Sequence, residues 1–273
     1  MKLGTNDIGS VYLGTNAVQK VYLGTNEVWT SSDPDADAFF ARVTTAGGTL
    51  SATEQSAITT LVKKMKADGI WSKMKAIYPM VGASAAACAQ NLKSSSFTAS
   101  FNGGFTYTTD GAKGNGTTGY INTNLNASSQ LLTADCHMSI YQRDATQNNV
   151  NGIYYGPNFF IYFQSDTQIW SAIGNGSSTI TNALGKNGMH TLTAIDSSAK
   201  LFKDTSELTT FTSSGTFPNF EVYMNSGNTA NNPNTYGNGV ISYISLGVGL
   251  TDTDVTNLYT AVQKFNTTLS REV

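Results

Sequence analysis

Two histidines, two cysteines and a modest set of carboxylates are the residues with which this chain could build acid–base, nucleophilic or metal chemistry. His137 and His190 each stand inside an apolar-alternating stretch, with no carboxylate or cysteine at ligand-like spacing. Each therefore reads as a packed strand residue rather than a base or a ligand. Cys88 and Cys136 form no C-x-x-C pair and have no histidine-rich surroundings. They point to two semi-buried free thiols, and to neither a disulfide framework nor a zinc site. Asp33, Asp35 and Asp37 imitate the start of a calcium loop, but Ala38 stands where glycine is needed and Thr44 where a bidentate glutamate is needed. The run reads instead as a helix cap with acids in its first turn. No metal and no cofactor is expected.

Glycoside hydrolysis needs two carboxylates about 5–10 Å apart, one with a raised pKa. The glutamates are Glu27, Glu54, Glu207, Glu221 and Glu272, and none belongs to an E-x-D-x-E strand. Glu221 alone falls on an expected strand, without an acidic partner there. No G-x-S-x-G elbow, H-E-x-x-H helix or Walker loop is present. The chain is therefore expected not to be an enzyme, with a polysaccharide hydrolase as an alternative. What remains is a set of aromatic and amide residues beside Asn- and Gly-rich loops: Tyr154, Tyr155, Asn158, Trp170, Asn175 and Tyr236. Flat aromatic faces stack on sugar C–H surfaces, and amides serve hydroxyls as both donor and acceptor, so these are the candidate glycan contacts. The competing account makes the same Tyr and Trp core residues with polar ends at the rim.

The elements that would position these residues follow from composition and pattern. Charged residues are 12% of the 273 and hydrophobic ones 40%, with 26 Gly, 13 Tyr and 13 Phe. That mix suits turn-rich β structure and excludes a coiled-coil rod or a highly charged disordered chain. A net charge of −2 offers no basic field for nucleic acid. No apolar run approaches the roughly 18 residues of a membrane span, and no apolar h-region follows Met1, so a protein made in the cytoplasm is expected.

The first thirty residues repeat with a period of ten. Leu-Gly-Thr-Asn recurs from Leu3, Leu13 and Leu23, and Ile8, Val18 and Val28 hold the matching position after each turn. Each unit reads as strand, turn, strand. So small a unit cannot bury its own apolar face, which predicts stacking on other copies. Tyr12, Leu13, Tyr22 and Leu23 are the candidate oligomerisation residues. A trimer is expected, and docking on a different protein is the alternative.

Residues 33–80 read as a small helical region. Asp33-Pro34 offers a cap, Ser51 and Glu54 form a capping box, Gly69 closes the second helix, and a third short helix is expected to carry Trp71, Met74, Ile77 and Tyr78. Lys63, Lys64, Lys66, Lys73 and Lys75 then form the solvated face of a helical hairpin rather than a nucleic-acid patch. Ten alternating stretches follow, beginning at Phe97, Phe105, Gly119, His137, Ile153, Phe159, His190, Ala199, Phe220 and Gly239. They predict an antiparallel sandwich over 81–273. Thr251 and Asp254 open a closing helix whose apolar face holds Val255, Leu258, Val262 and Phe265.

The run from Leu246-Gly-Val-Gly-Leu-Thr-Asp to Phe265 resembles the last strand and helix of concanavalin A-like, or laminin G-like, jelly-roll domains. Gly69-Ile-Trp-Ser-Lys-Met-Lys-Ala-Ile-Tyr-Pro79, the capped helix before it and Leu269-Ser-Arg271 are similar to structural proteins of tailed bacteriophages, notably tail and head fibre proteins. The Leu-Gly-Thr-Asn repeats are like the N-terminal segments of such virion proteins. The resemblance implies a lectin-like jelly-roll sandwich displayed on a virion, with residues 1–32 for attachment or oligomerisation. It also implies other virion proteins and cell-surface polysaccharide as partners. It carries over no catalytic motif and no calcium ligands. A purely structural capsid or tail decoration protein without a ligand is the rival reading.

Overall fold

Each repeat forms a pair of short antiparallel strands, and Gly14-Thr15 is the two-residue loop of the second. β1 (Lys2–Leu3) pairs with β2 (Asn6–Asp7), β3 (Val11–Leu13) with β4 (Asn16–Val18), and β5 (Lys20–Leu23) with β6 (Asn26–Thr30). In every copy Leu and Asn face each other across the loop. Gly14 takes φ 65°, which glycine adopts without a Cβ penalty and which suits the twist of a tight hairpin. A computed structural model of the chain describes residues 2–3, 6–7, 11–18, 20–23, 26–30, 32–143, 151–155, 158–165, 168–181 and 185–273. The side chains of Tyr12, Tyr22 and Leu23 lie outside the described residues. Leu13 is 78% exposed, so this candidate presents its side chain to solvent.

Asp33 caps α1 (Pro34–Thr45) by accepting from the Asp35 amide at 3.0 Å. Ser51 and Glu54 close the capping box of α2 (Ala52–Ala67), and Gly69 follows at φ 77°. The third helix is not there. Trp71–Lys73 makes one 3-10 turn, and β7 (Met74–Tyr78) is a strand. Its residues take a place on a sheet edge, Ala76 opposite Leu246 and Tyr78 opposite Ile244. A five-residue helix has too costly a nucleus to compete with a ladder already on offer.

The remaining elements are α3 (Ala85–Cys88), β8 (Ser100–Asn102), β9 (Phe105–Thr108), β10 (Gly111–Gly114), β11 (Tyr120–Asn126) and α4 (Ala127–Gln130). Then come β12 (Asp135–Arg143), β13 (Asn151–Tyr155), β14 (Phe159–Ser165), β15 (Gln168–Ile173), β16 (Gly176–Thr181) and β17 (Gly188–Ile195). The chain closes with β18 (Ser198–Lys203), β19 (Ser206–Thr212), β20 (Glu221–Met224), β21 (Ser226–Thr229), β22 (Asn232–Tyr236), β23 (Val240–Gly247) and α5 (Asp252–Thr268). All ten expected strands fall on strands. The one expected from Phe97 starts only at Ser100, because Phe97 sits in a turn at φ 58°.

The strands form an antiparallel sandwich. One sheet has eight strands in the order β19-β18-β17-β12-β23-β10-β9, with β7 also on β23; the other has seven, β16-β15-β14-β13-β20-β11-β8. Alternate residues of both sheets fill the core between them, among them Met138, Leu192, Ile161, Phe163, Met224 and Ile244. A second core lies on the far side of the eight-stranded sheet, where Tyr141, Met189, Phe202 and Tyr243 meet α1, α2 and α5. Val255, Leu258, Val262 and Phe265 of α5 are all buried there, as their spacing predicts.

Beyond α5, Arg271 is fully buried. It donates to the carbonyls of Pro79 and Met80 at 2.7 Å each and of Ser242 at 2.9 Å, and to Asn266 Oδ1 at 2.9 Å. One guanidinium thereby ties the chain end to the segment after β7 and to β23. The helical lysines are largely paired: Lys66 with Asp33 and Asp35, Lys64 with Asp68, Lys73 with Asp254. Among the described residues no helix is long and apolar enough to cross a membrane.

Candidate functional site

Period-2 alternation decides what the seven-stranded sheet shows to its other side. On β14, Phe159, Ile161 and Phe163 enter the core, so Phe160, Tyr162 and Gln164 face outward. On β15, Ile169 and Ile173 enter the core, leaving Gln168, Trp170 and Ala172 outward. On β20, Val222 and Met224 point in, and Glu221 and Tyr223 point out.

Trp170 stands directly opposite Tyr162 on one side and Thr179 on the other. The Tyr162 and Trp170 rings meet at 5.8 Å with a 47° tilt, and Trp170 keeps 38% exposure. A large indole left that open normally costs solvation with no return, which makes it the informative residue of this face. Exposed Gln164 and half-buried Gln168 flank the pair with amide groups. Further across the sheet, Tyr120 stacks on Tyr223 at 5.0 Å, and Asn122 donates to Glu221 Oε2 at 2.8 Å.

The β21–β22 hairpin folds against β20. Asn228 donates to the Glu221 carbonyl at 2.7 Å, the Glu221 amide donates to Asn231 Oδ1 at 3.3 Å, and the Tyr223 hydroxyl reaches the Asn231 carbonyl at 3.4 Å. Its turn runs through Ala230 and Asn231 at φ 53° and 62°, and Thr235, a β-branched residue, holds φ 53°. Left-handed backbone at such a residue stores strain, and such strain gathers at sites where a segment must hold one shape.

No family model matches the chain, and no curated protein does. Among solved structures it is similar to domain 4 of AbnA, an extracellular arabinanase from Geobacillus stearothermophilus, in complex with arabinotriose. That match has 15% identity and a TM-score of 0.47, covering 68% of this chain and 98% of that one. It is also similar to Trypanosoma rangeli sialidase in complex with sialic acid, at 12% identity and TM-score 0.48, covering 74% of this chain but 38% of that one. The botulinum neurotoxin serotype D binding domain matches at 11% identity and TM-score 0.49, with 70% and 52% covered. This chain thus spans well under half of the sialidase.

The six sequence candidates are not brought to one point. Trp170 is on the open outer face. Asn158 and Asn175 lie toward one end of the sheet: the Gly174 amide donates to the Asn158 carbonyl at 2.7 Å, and Asn175, exposed in the β15–β16 turn, donates its backbone amide to the Ser214 carbonyl at 2.9 Å. Tyr154 stands opposite Phe160 and Tyr223 in the register, and Tyr155 opposite Phe159. The side chains of both lie outside the described residues. Tyr236 is on the separate hairpin, its hydroxyl donating to the Pro233 carbonyl at 3.1 Å. Sequence reasoning passed over Tyr162, Gln164, Tyr120 and Asn122. Phe159 to Gln164 alternates with an apolar inner set and a mixed outer set, and that was the signal available.

The groups singled out for chemistry are in the interior. His137 and His190 are fully buried. His137 Nδ1 lies 2.6 Å from the Val248 carbonyl, and burial holds the ring down at about 4. His190 packs edge-on to Phe163 at 4.7 Å, and burial brings it to about 3. Both are neutral in the folded protein at ordinary pH. Both cysteines are free and buried; burial pushes the Cys88 thiol up to about 12 and raises that of Cys136 as well. Glu221 is the one carboxylate in the seven strands, and its hydrogen-bonding neighbour is the Asn122 amide rather than a second acid.

Proposed function

We propose that the outer face of the seven-stranded sheet binds carbohydrate without cleaving it, on a protein displayed by a virion of the tailed-phage type as a fibre or decoration. The observation that carries the binding half is Trp170, open to solvent and braced by Tyr162 on a face with no helical cover among the described residues. An aromatic platform flanked by amides suits the alternating C–H and O–H surfaces of a sugar. A single carboxylate held by an amide does not supply the acid and base of hydrolysis. The display half is supported by the three N-terminal hairpins, which are too small to bury their own apolar residues and leave Leu13 open. Residues 1–32 would attach or trimerise the protein, and repeated copies would multiply weak single-site binding into avidity.

A glycan array probed with the full chain and with Trp170→Ala tests the binding half. The reading expects retained glycans with the first and none with the second, the two having equal melting temperatures. Silence with both contradicts it. Light scattering on the full chain and on a chain lacking residues 1–32 tests the display half: a threefold mass that falls to one supports assembly by the repeats, and a full-length monomer contradicts it.

A further inference from the structure

The seven strands of the open sheet contain one Asp, Glu, Lys, Arg or His between them, and it is Glu221. The eight-stranded sheet is different, with Lys75, Lys113, Arg143, Lys200, Lys203, Asp135 and Glu207 among its strands. Between residues 95 and 250 there are five cations: Lys113, Arg143, Lys186, Lys200 and Lys203. Four of them belong to that second sheet. Arg143 is held by Asp110, and Lys200 by Asp252 and Glu207. The fifth, Lys186, is buried just before β17. Four of the five are therefore on the opposite sheet, and the backbone of the fifth is tied to β12, its carbonyl accepting from Gln142 at 2.9 Å.

We infer that this face recognises uncharged saccharides and discriminates against sialylated or uronate-bearing ones, a specification that rests on the carbohydrate-binding reading above. A sugar carboxylate leaving water is best compensated by a guanidinium or an ammonium, whose charge-assisted hydrogen bonds are about twice as strong as neutral ones. The face offers it an indole, a phenol and side-chain amides, and its one formal charge is negative. Hydroxyls have no such need. Gln164 and Gln168 each present a donor and an acceptor, which matches a hydroxyl that does both. Stacking on Trp170 uses C–H surface and is indifferent to charge elsewhere in the glycan.

The test is an array of matched pairs, each neutral oligosaccharide beside its sialylated derivative. It is probed with the full chain, Trp170→Ala and Thr179→Lys. Thr179 is exposed and faces Trp170 across the ladder, so the third variant sets an ammonium beside the platform. The expected result is a stronger signal from the neutral member of each pair, lost in Trp170→Ala. Thr179→Lys should raise the sialylated signal by roughly fivefold at low salt, and the gain should shrink at high salt. Equal or stronger binding of sialylated members by the unaltered chain would overturn the inference and leave the carbohydrate reading standing. A neutral preference that survives Trp170→Ala would overturn its assignment to this face. Silence across the array would overturn both.

Discussion

The sandwich has two outer faces, and they are finished in opposite ways. That of the eight-stranded sheet is covered by α1, α2 and α5. Tyr141, Met189, Phe202 and Tyr243 disappear under the helices, where Ser139 is paired with Thr191 at 2.9 Å. That of the seven-stranded sheet has no helix over it among the described residues: Phe160, Ala172 and Tyr223 are buried there, Tyr223 beside the β21–β22 hairpin, while Trp170 stays open next to half-buried Tyr162. Both faces are aromatic, so aromatic content alone does not separate core from site. The separation comes from what lies over the rings. A covered aromatic face is stability, while an uncovered one persists at a solvation cost that binding would offset.

The contrast can be attacked from its strongest side first. Arg271→Met should destabilise by about 3–5 kcal/mol in denaturant melts, because it leaves three buried carbonyls unpaired at about 1–3 kcal/mol each. A loss below about 1 kcal/mol would mean that the covered face is not clamped through the chain end. Leu258→Ala should cost about 2–5 kcal/mol, as buried truncations do. If it costs under about 0.5, α5 is a loose tail and the cover is not structural.

Acid should act next. His137 and His190 are held neutral when folded and take a proton freely when unfolded, at the ordinary value of 6.5. Stability is therefore full above about pH 6.5 and falls as pH drops toward about 4 for His137 and about 3 for His190. Each contributes a slope of up to about 1.4 kcal/mol per pH unit in that window. Urea midpoints measured from pH 7 to pH 4 that stay level would show that neither ring is sealed from water. Smallest of all, Trp170→Ala should change stability by less than about 0.5 kcal/mol, as exposed substitutions do. A large loss would place Trp170 with the core and erase the difference between the faces.

Much of this architecture was legible in the chain. The capping residues Asp33, Ser51 and Thr251 mark three helix starts, since one side chain and one backbone amide suffice to define each. The loop at Gly14-Thr15 was equally plain, because a glycine at φ 65° between paired Leu13 and Asn16 has few alternatives. Met74–Tyr78 was misread as helix because its apolar spacing fits either period, and only the distant edge of β23 decides between them. The candidate site was half legible for a similar reason. Trp170 was read as a residue near loops, but β15 and β16 are strands joined by the two-residue Gly174-Asn175 turn. Their Ser, Thr and Gly content hides a period-2 pattern that Tyr162 and Gln164 complete from β14. Pairing across strands that are not adjacent in sequence, as β13 with β20, leaves no local trace at all.

The most direct measurement is hydroxyl-radical footprinting of the full chain, with and without a saturating neutral oligosaccharide chosen from the array. Trp170 and Tyr162 should lose reactivity severalfold on binding, while Tyr259, half-buried on α5, keeps its own. Protection of Tyr259 with Trp170 unchanged, or binding that alters neither, would contradict the assignment of function to the open face.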